Sequence, residues 1–184
     1  IECCQSHPHA ACDRPEDRQF VRDLEGWRRT ADRVWIWDYV ANLRRPFHTG
    51  PGVHVVSENI RHFIDHGVSG IFMQDVGQRD FAGLRAYVMA RALWDKDFDH
   101  DVAVREFMAA LYGPAAEPLE EFLRVIREKV DRDNAHVYYV GAACPPYLSD
   151  EVIEKGDALW NAAEEAVGDS PERLALVRDE RMHW

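Results

Sequence analysis

Six side chains suited to polar chemistry stand at the ends of three short apolar runs: Cys4 and His7, Asp38 and Tyr39, and Gln74 and Asp75. The runs are Ile1-Glu2-Cys3-Cys4, Arg33-Val34-Trp35-Ile36-Trp37-Asp38-Tyr39 and Ser69-Gly70-Ile71-Phe72-Met73-Gln74-Asp75. Asp38 is the leading candidate for chemistry. A carboxylate that ends an aromatic run is costly unless it faces a wet pocket or a partner. It would orient substrate groups or carry part of an acid/base step, against a structural role bonding loop amides or Arg44 and Arg45. Gln74 offers both a donor and an acceptor, and Asp75 adds a second carboxylate.

The spacing of these ends implies the elements that must carry them. Cys4 and Asp38 are 34 positions apart, and Asp38 and Asp75 are 37 apart. Each interval fits one strand, one crossover helix and two loops. Parallel β/α proteins place their chemistry at the carboxyl ends of strands. Pro15-Glu16-Asp17 opens a helix running to about residue 29, with Phe20, Val21, Leu24 and Trp27 on its buried face. A loop rich in turn formers spans 44–52. Ser57 is expected to cap a helix carrying Ile60, Phe63 and Ile64, closed by Gly67. After Asp75 the pattern turns helical: segments start at Asp80, Asp99, about residue 116, Ser149 and Ser170-Pro171. The fold class read from this order is α/β: about three β/α units, the carboxyl-terminal portion of a TIM (β/α)8 barrel, followed by an α-helical extension. The division expected is 1–95 for the barrel units and 96–184 for the extension. An open doubly wound sheet fits the same spacing. Alternation puts Trp35, Trp37 and Tyr39 on one face of their strand and Ile36 and Asp38 on the other. With Asp38 in a barrel mouth, Trp35 and Trp37 are expected to pack under helices.

Composition narrows the function classes. The chain has 184 residues, 46% of them hydrophobic and 30% charged, with a net charge of −11. A surface so acidic repels phosphate backbones, which argues against nucleic acid as a partner. No apolar run approaches the roughly 20 residues of a membrane span. The chain opens on Ile1 inside an expected strand, and the expectation is that further barrel units precede it and that the segment folds poorly alone. Composition sets neither compartment nor oligomeric state. Of four cysteines, Cys3, Cys4 and Cys12 lie close to His7 and His9. Thiolates and imidazoles are zinc's ligand types, yet the spacing matches no C-x2-C or H-x3-H pattern. The favoured reading has His7 lining a pocket, the cysteines packed as small apolar groups, and no metal or cofactor. A Cys4–Cys12 or Cys3–Cys12 disulfide is open in an oxidising compartment, and a Cys4/His7 nucleophile lacks an orienting third group. Cys144 reads as structural.

Five strings in order resemble a bacterial family known as domain of unknown function 4838. They are Cys3-Cys4-Gln5-Ser6-His7-Pro8, Trp35 to Asn42 (W-I-W-D-Y-V-A-N), Gly67 to Gln74 (G-V-S-G-I-F-M-Q), Asp80 to Val88 (D-F-A-G-L-R-A-Y-V) and Leu93-Trp94-Asp95. The resemblance covers roughly residues 1–130. It implies a TIM-barrel domain of the glycosidase type. Some members are grouped with glycoside hydrolase family 163 and act as endo-β-N-acetylglucosaminidases on complex N-glycans, and members are usually exported. Met73 stands where that resemblance leads one to expect a carboxylate. The implied site has Asp38 as the catalytic residue, with His7, Tyr39, Asn42, Gln74 and Asp75 contacting a carbohydrate. Glycosidases normally use two carboxylates. An N-acetyl substrate that supplies its own nucleophile relaxes that need, and the main acid is expected upstream. The alternative is a carbohydrate-binding or scaffolding module without the acid. A zinc-dependent protein built on the Cys/His cluster is a third.

Overall fold

The computed structural model describes residues 4–40, 50–75, 81–138 and 145–184. The expected strand at residues 1–4 falls mostly outside them, and Cys4 itself lies in an irregular segment. Asn42, most of the 44–52 loop, Asp80 and Cys144 also lie outside the described residues. Among the described residues the fold is mixed α/β and mostly helical, with one small parallel sheet. The elements run α1 (Pro15–Thr30), β1 (Trp35–Tyr39), α2 (Val53–Asp65), β2 (Gly70–Gln74), α3 (Ala82–Trp94), α4 (His100–Tyr112), a 3-10 turn (Gly113–Ala115), α5 (Ala116–Asp133), α6 (Asp150–Ala166) and α7 (Pro171–Arg181).

The unit β1–α2–β2 is the crossover the spacing predicts. Trp35 pairs with Gly70, Trp37 with Phe72 and Tyr39 with Gln74. Gly70 is required there, because a Cβ would collide with the Trp35 ring. Gly67 closes the connection at φ +70, a left-handed turn that glycine adopts without steric cost. α1 and α2 cover one face of the sheet, where Phe20, Leu24, Ile36 and Phe63 form a compact apolar cluster. Burial of four such side chains stabilises by roughly 1.5–3 kcal/mol each before entropy is counted.

Three helix starts behave as their local sequence dictates. The Asp99 and Ser149 side chains accept the Val102 and Val152 backbone N–H groups, and Pro171 sits in the first turn of α7. Ser57 does not cap α2. The helix begins four residues earlier at Val53, and the buried Ser57 hydroxyl bonds His100 Nδ1 at 3.0 Å instead. Trp27 also departs from expectation, standing 64% exposed at the end of α1.

The larger core runs from α2 to α7. It joins Val53 and Ile60 to Leu84, Met108, Leu119, Phe122, Trp160 and Val177, and so crosses residue 95 without a break. Trp160 stacks on Phe81 and lies tilted against Phe122, and Phe122 meets Trp184 edge-on. Phe81 holds a left-handed backbone at φ 50 although its side chain is almost fully buried. Glu180 of α7 offsets that cost, accepting the Phe81 N–H at 2.6 Å and the buried Tyr112 hydroxyl at 2.8 Å. Glu180→Ala would strand both donors, and we expect a loss of about 2–4 kcal/mol in urea unfolding. Glu180→Gln, which keeps one acceptor oxygen, should retain a good part of it.

Candidate functional site

His9 is the hub where the amino-terminal loop meets α1, α2 and β1. Its Nδ1 lies 3.1 Å from Asp17 Oδ1, and its Nε2 lies 3.6 Å from Asp38 Oδ2. Its backbone N–H donates to Asn59 Oδ1 of α2 at 2.9 Å. Asp17 also accepts the Cys4 backbone N–H at 3.1 and 3.3 Å. All these residues are buried. Phe20 meets the His9 ring edge-on and Phe63 stacks on it. Burial alone would drive the imidazolium to lose its proton. The hydrogen bond to Asp17, the close approach of Asp38 and the charges of both overturn this and raise the His9 pKa to about 9. Burial likewise opposes the Asp17 charge, but the His9 bond and charge and the Cys4 amide hold its pKa below the usual carboxylate range. The result is a buried carboxylate–imidazolium–carboxylate bridge.

The predicted site residues divide among three places. Asp38 lies under the strand end: Oδ1 accepts the Tyr39 N–H at 2.9 Å while Oδ2 faces His9. Tyr39 and Gln74 sit opposite each other at the carboxyl ends of the strands. The Gln5 amide holds the Tyr39 carbonyl at 2.9 Å, and Gln74 Oε1 accepts the Trp37 indole N–H at 2.9 Å. Asp75 is drawn aside by the buried Arg85, whose Nε and Nη2 each reach a carboxylate oxygen at 3.1 Å. His7 belongs to a separate cluster, with Nδ1 3.5 Å from Cys4 Sγ and its ring 4.7 Å from that of His136. Burial and the neighbouring His136 charge lower the His7 pKa.

The faces of β1 are reversed from the expected orientation. Ile36 and Asp38 point under the helices, while Trp35, Trp37 and Phe72 stand 70%, 57% and 53% exposed on the open face. Alternation correctly groups the residues; the buried His9 is what draws Asp38, rather than the tryptophans, beneath the helical layer. On the open face Trp37 meets Phe72 edge-on at 5.0 Å and lies 6.4 Å from Tyr39. Along the α1 edge, Trp35 shares a groove with Trp27.

Sequence reasoning passed over Asp17, Arg85 and His136. Asp17 carried a signal: with Phe20 and Leu24 it forms an i, i+3, i+7 stripe, so the acid lies on the buried face. Four donors could serve a metal: Cys4, Cys12 and His136, with His7 beside them. Burial, with the charges of Cys4 and Asp17 adding to it, pushes the Cys12 thiol up to about 12. A group so hard to deprotonate is no free nucleophile.

A family model described as "Domain of unknown function (DUF4838)" matches residues 1–124. The chain belongs to the DUF4838 family. No curated protein and no solved structure matches it. The matched span takes in the His9 bridge, both strands and the aromatic face, and stops inside α5. Within the DUF4838 chain no described helix is long and apolar enough to cross a membrane.

The bridge fixes a pH dependence. The His9 pKa rises from 6.5 to about 9 on folding, so its stabilisation is complete below about pH 6.5 and is lost as pH rises through about 9. The Asp17 pKa falls below 3.8, so its part is present above that value and is lost as pH drops through the lowered one. The His9 shift corresponds to about 3 kcal/mol. Between pH 6 and 9.5 we expect Tm to fall by roughly 6–12 °C, and the fall should be visibly smaller in His9→Gln.

Proposed function

We propose that this DUF4838 chain contributes parallel strands to the wall of a TIM-barrel domain of the glycosidase type, acting on N-acetylhexosamine-containing glycans. The observation that carries the reading is the open aromatic face of Trp35, Trp37, Tyr39 and Phe72 beside Gln74. Parallel β/α units covered by helices on one face only are the pattern of a barrel wall, whose bare face turns inward: in it Trp35 would pack the interior, while Tyr39 and Gln74, with Trp37 and Phe72 one step below, would stand toward the mouth where ligands bind. The apolar C–H faces of a sugar ring suit an indole, and Gln74 at the strand end supplies an amide for a hydroxyl. The bond from Trp37 to Gln74 sets the angle between platform and amide before any ligand arrives.

In this reading Asp38 acts as a positioning residue. Its carboxylate is engaged by His9 and the Tyr39 amide, so it sets the height and angle of Tyr39 rather than reaching a glycosidic oxygen. The engagement of Asp38 by His9 and of Asp75 by Arg85 favours a second reading, a carbohydrate-binding module in which neither strand-end acid does acid/base work.

Calorimetry with N-acetylglucosamine oligomers and a complex N-glycan tests the face, with mass spectrometry of the mixture testing cleavage. We expect binding, weakened about tenfold by Trp37→Ala, the equivalent of about 1.4 kcal/mol. Cleavage of the N-glycan selects the glycosidase, and binding without cleavage selects the module. Failure of the folded protein to bind either ligand would contradict both.

A further inference from the structure

We infer that Cys4, Cys12, His136 and His7 form a structural zinc(II) site that clips the amino-terminal loop to the segment following α5. The Cys4 and Cys12 sulfurs and a His136 ring nitrogen all lie within 4.8 Å of one another. His136 Nδ1 is 3.3 Å from the Cys4 sulfur and 3.7 Å from the Cys12 sulfur. His7 Nδ1, 3.5 Å from the Cys4 sulfur, supplies the fourth donor after a side-chain adjustment. Zinc bonds of about 2.3 Å to sulfur and 2.0–2.1 Å to nitrogen put tetrahedral sulfur–nitrogen edges at about 3.5–3.6 Å. The observed separations bracket that value, so the donors stand close to where an ion would hold them.

The surroundings suit a closed, structural centre. Cys4 is fully buried and Cys12 is 5% exposed, which leaves little room for an open catalytic position. Two thiolates would neutralise a divalent ion, so the bound site carries no net charge from ion and sulfurs. Soft sulfur with imidazole selects zinc over the hard cations. A second layer is present as well. Asp13 Oδ1 lies 3.3 Å from His136 Nε2, at an angle that makes it an ion-pair approach and not a hydrogen bond. Carboxylates in that place orient zinc-bound imidazoles. The Ser6 hydroxyl lies 3.1 Å from the Cys4 sulfur and also bonds the backbone on both sides of His136, at Ala135 O and Val137 N. The Gln5 N–H donates to Val137 O at 2.7 Å. Loop and post-α5 segment are therefore already in register, about 130 positions apart in sequence, and the ion would join them covalently. Asp17, whose carboxylate accepts the Cys4 N–H, is tied to His9, which it shares with Asp38.

The test is metal content of the protein purified under reducing conditions without chelator, then reconstituted with zinc alone, and cobalt(II) substitution of the same wild-type protein. We expect about one equivalent of zinc and a cobalt spectrum with thiolate-to-metal charge transfer and intense tetrahedral bands. Cys12→Ser and His136→Gln should each weaken zinc binding by about tenfold or more. The cobalt spectrum needs no variant, so it decides the matter even where a variant misfolds. Less than about a tenth of an equivalent after reconstitution would overturn the proposal. So would a cobalt spectrum without sulfur bands, full zinc retention in folded Cys12→Ser, or a Cys4–Cys12 disulfide that persists under the reducing preparation.

Discussion

A single buried imidazolium holds together the parts of this chain that could bear function. His9 sits between Asp17 on α1 and Asp38 on β1, and its backbone holds Asn59 on α2. A charge in that position would be prohibitive alone. With two carboxylates, an amide and two aromatic rings around it, it becomes a three-way joint between loop, helix and strand. Breaking one partner leaves the others buried and unpaired, which costs more than the intact bridge contributes. The geometry also determines which way β1 faces. Once Asp38 is committed to His9, Ile36 follows it under the helices, and Trp35, Trp37 and Tyr39 must occupy the other face.

That commitment shapes the functional reading. A carboxylate at the end of a β/α strand invites a catalytic role, but here its oxygens are spoken for by an imidazole and the next backbone amide. Asp75 has the same fate at Arg85. What the strands offer outward is aromatic surface with a fixed amide, a combination suited to rings with one apolar and one hydroxylated aspect. The site is therefore read as a recognition surface first, in which any acid/base chemistry depends on groups beyond Asp38 and Asp75.

Much of this was legible in the sequence, and the limits have physical causes. The crossover was visible because strand–helix–strand spacing is set by chain geometry, and the caps at Asp99 and Ser149 were visible because capping is local. Ser57 failed for the same reason in reverse: nothing nearby reveals a hydroxyl satisfied by His100, 43 positions away. Alternation sorted β1 into two faces but could not say which face the helices cover, since both carry apolar residues. The Asp17 stripe is readable in the sequence, but an acid in the first turn of a helix is equally explained by the dipole. His136 was out of reach altogether, because only the folded chain brings it beside Cys4 and Cys12.

The measurement that bears most directly on this account is the protonation state of His9, followed by nitrogen-15 NMR of the imidazole across pH. The bridge predicts a ring protonated on both nitrogens at neutral pH that gives up its proton near pH 9. A neutral His9 ring at pH 7, in either tautomer, would contradict it, and with it the explanation of why Asp38 turns inward and the aromatic face turns out.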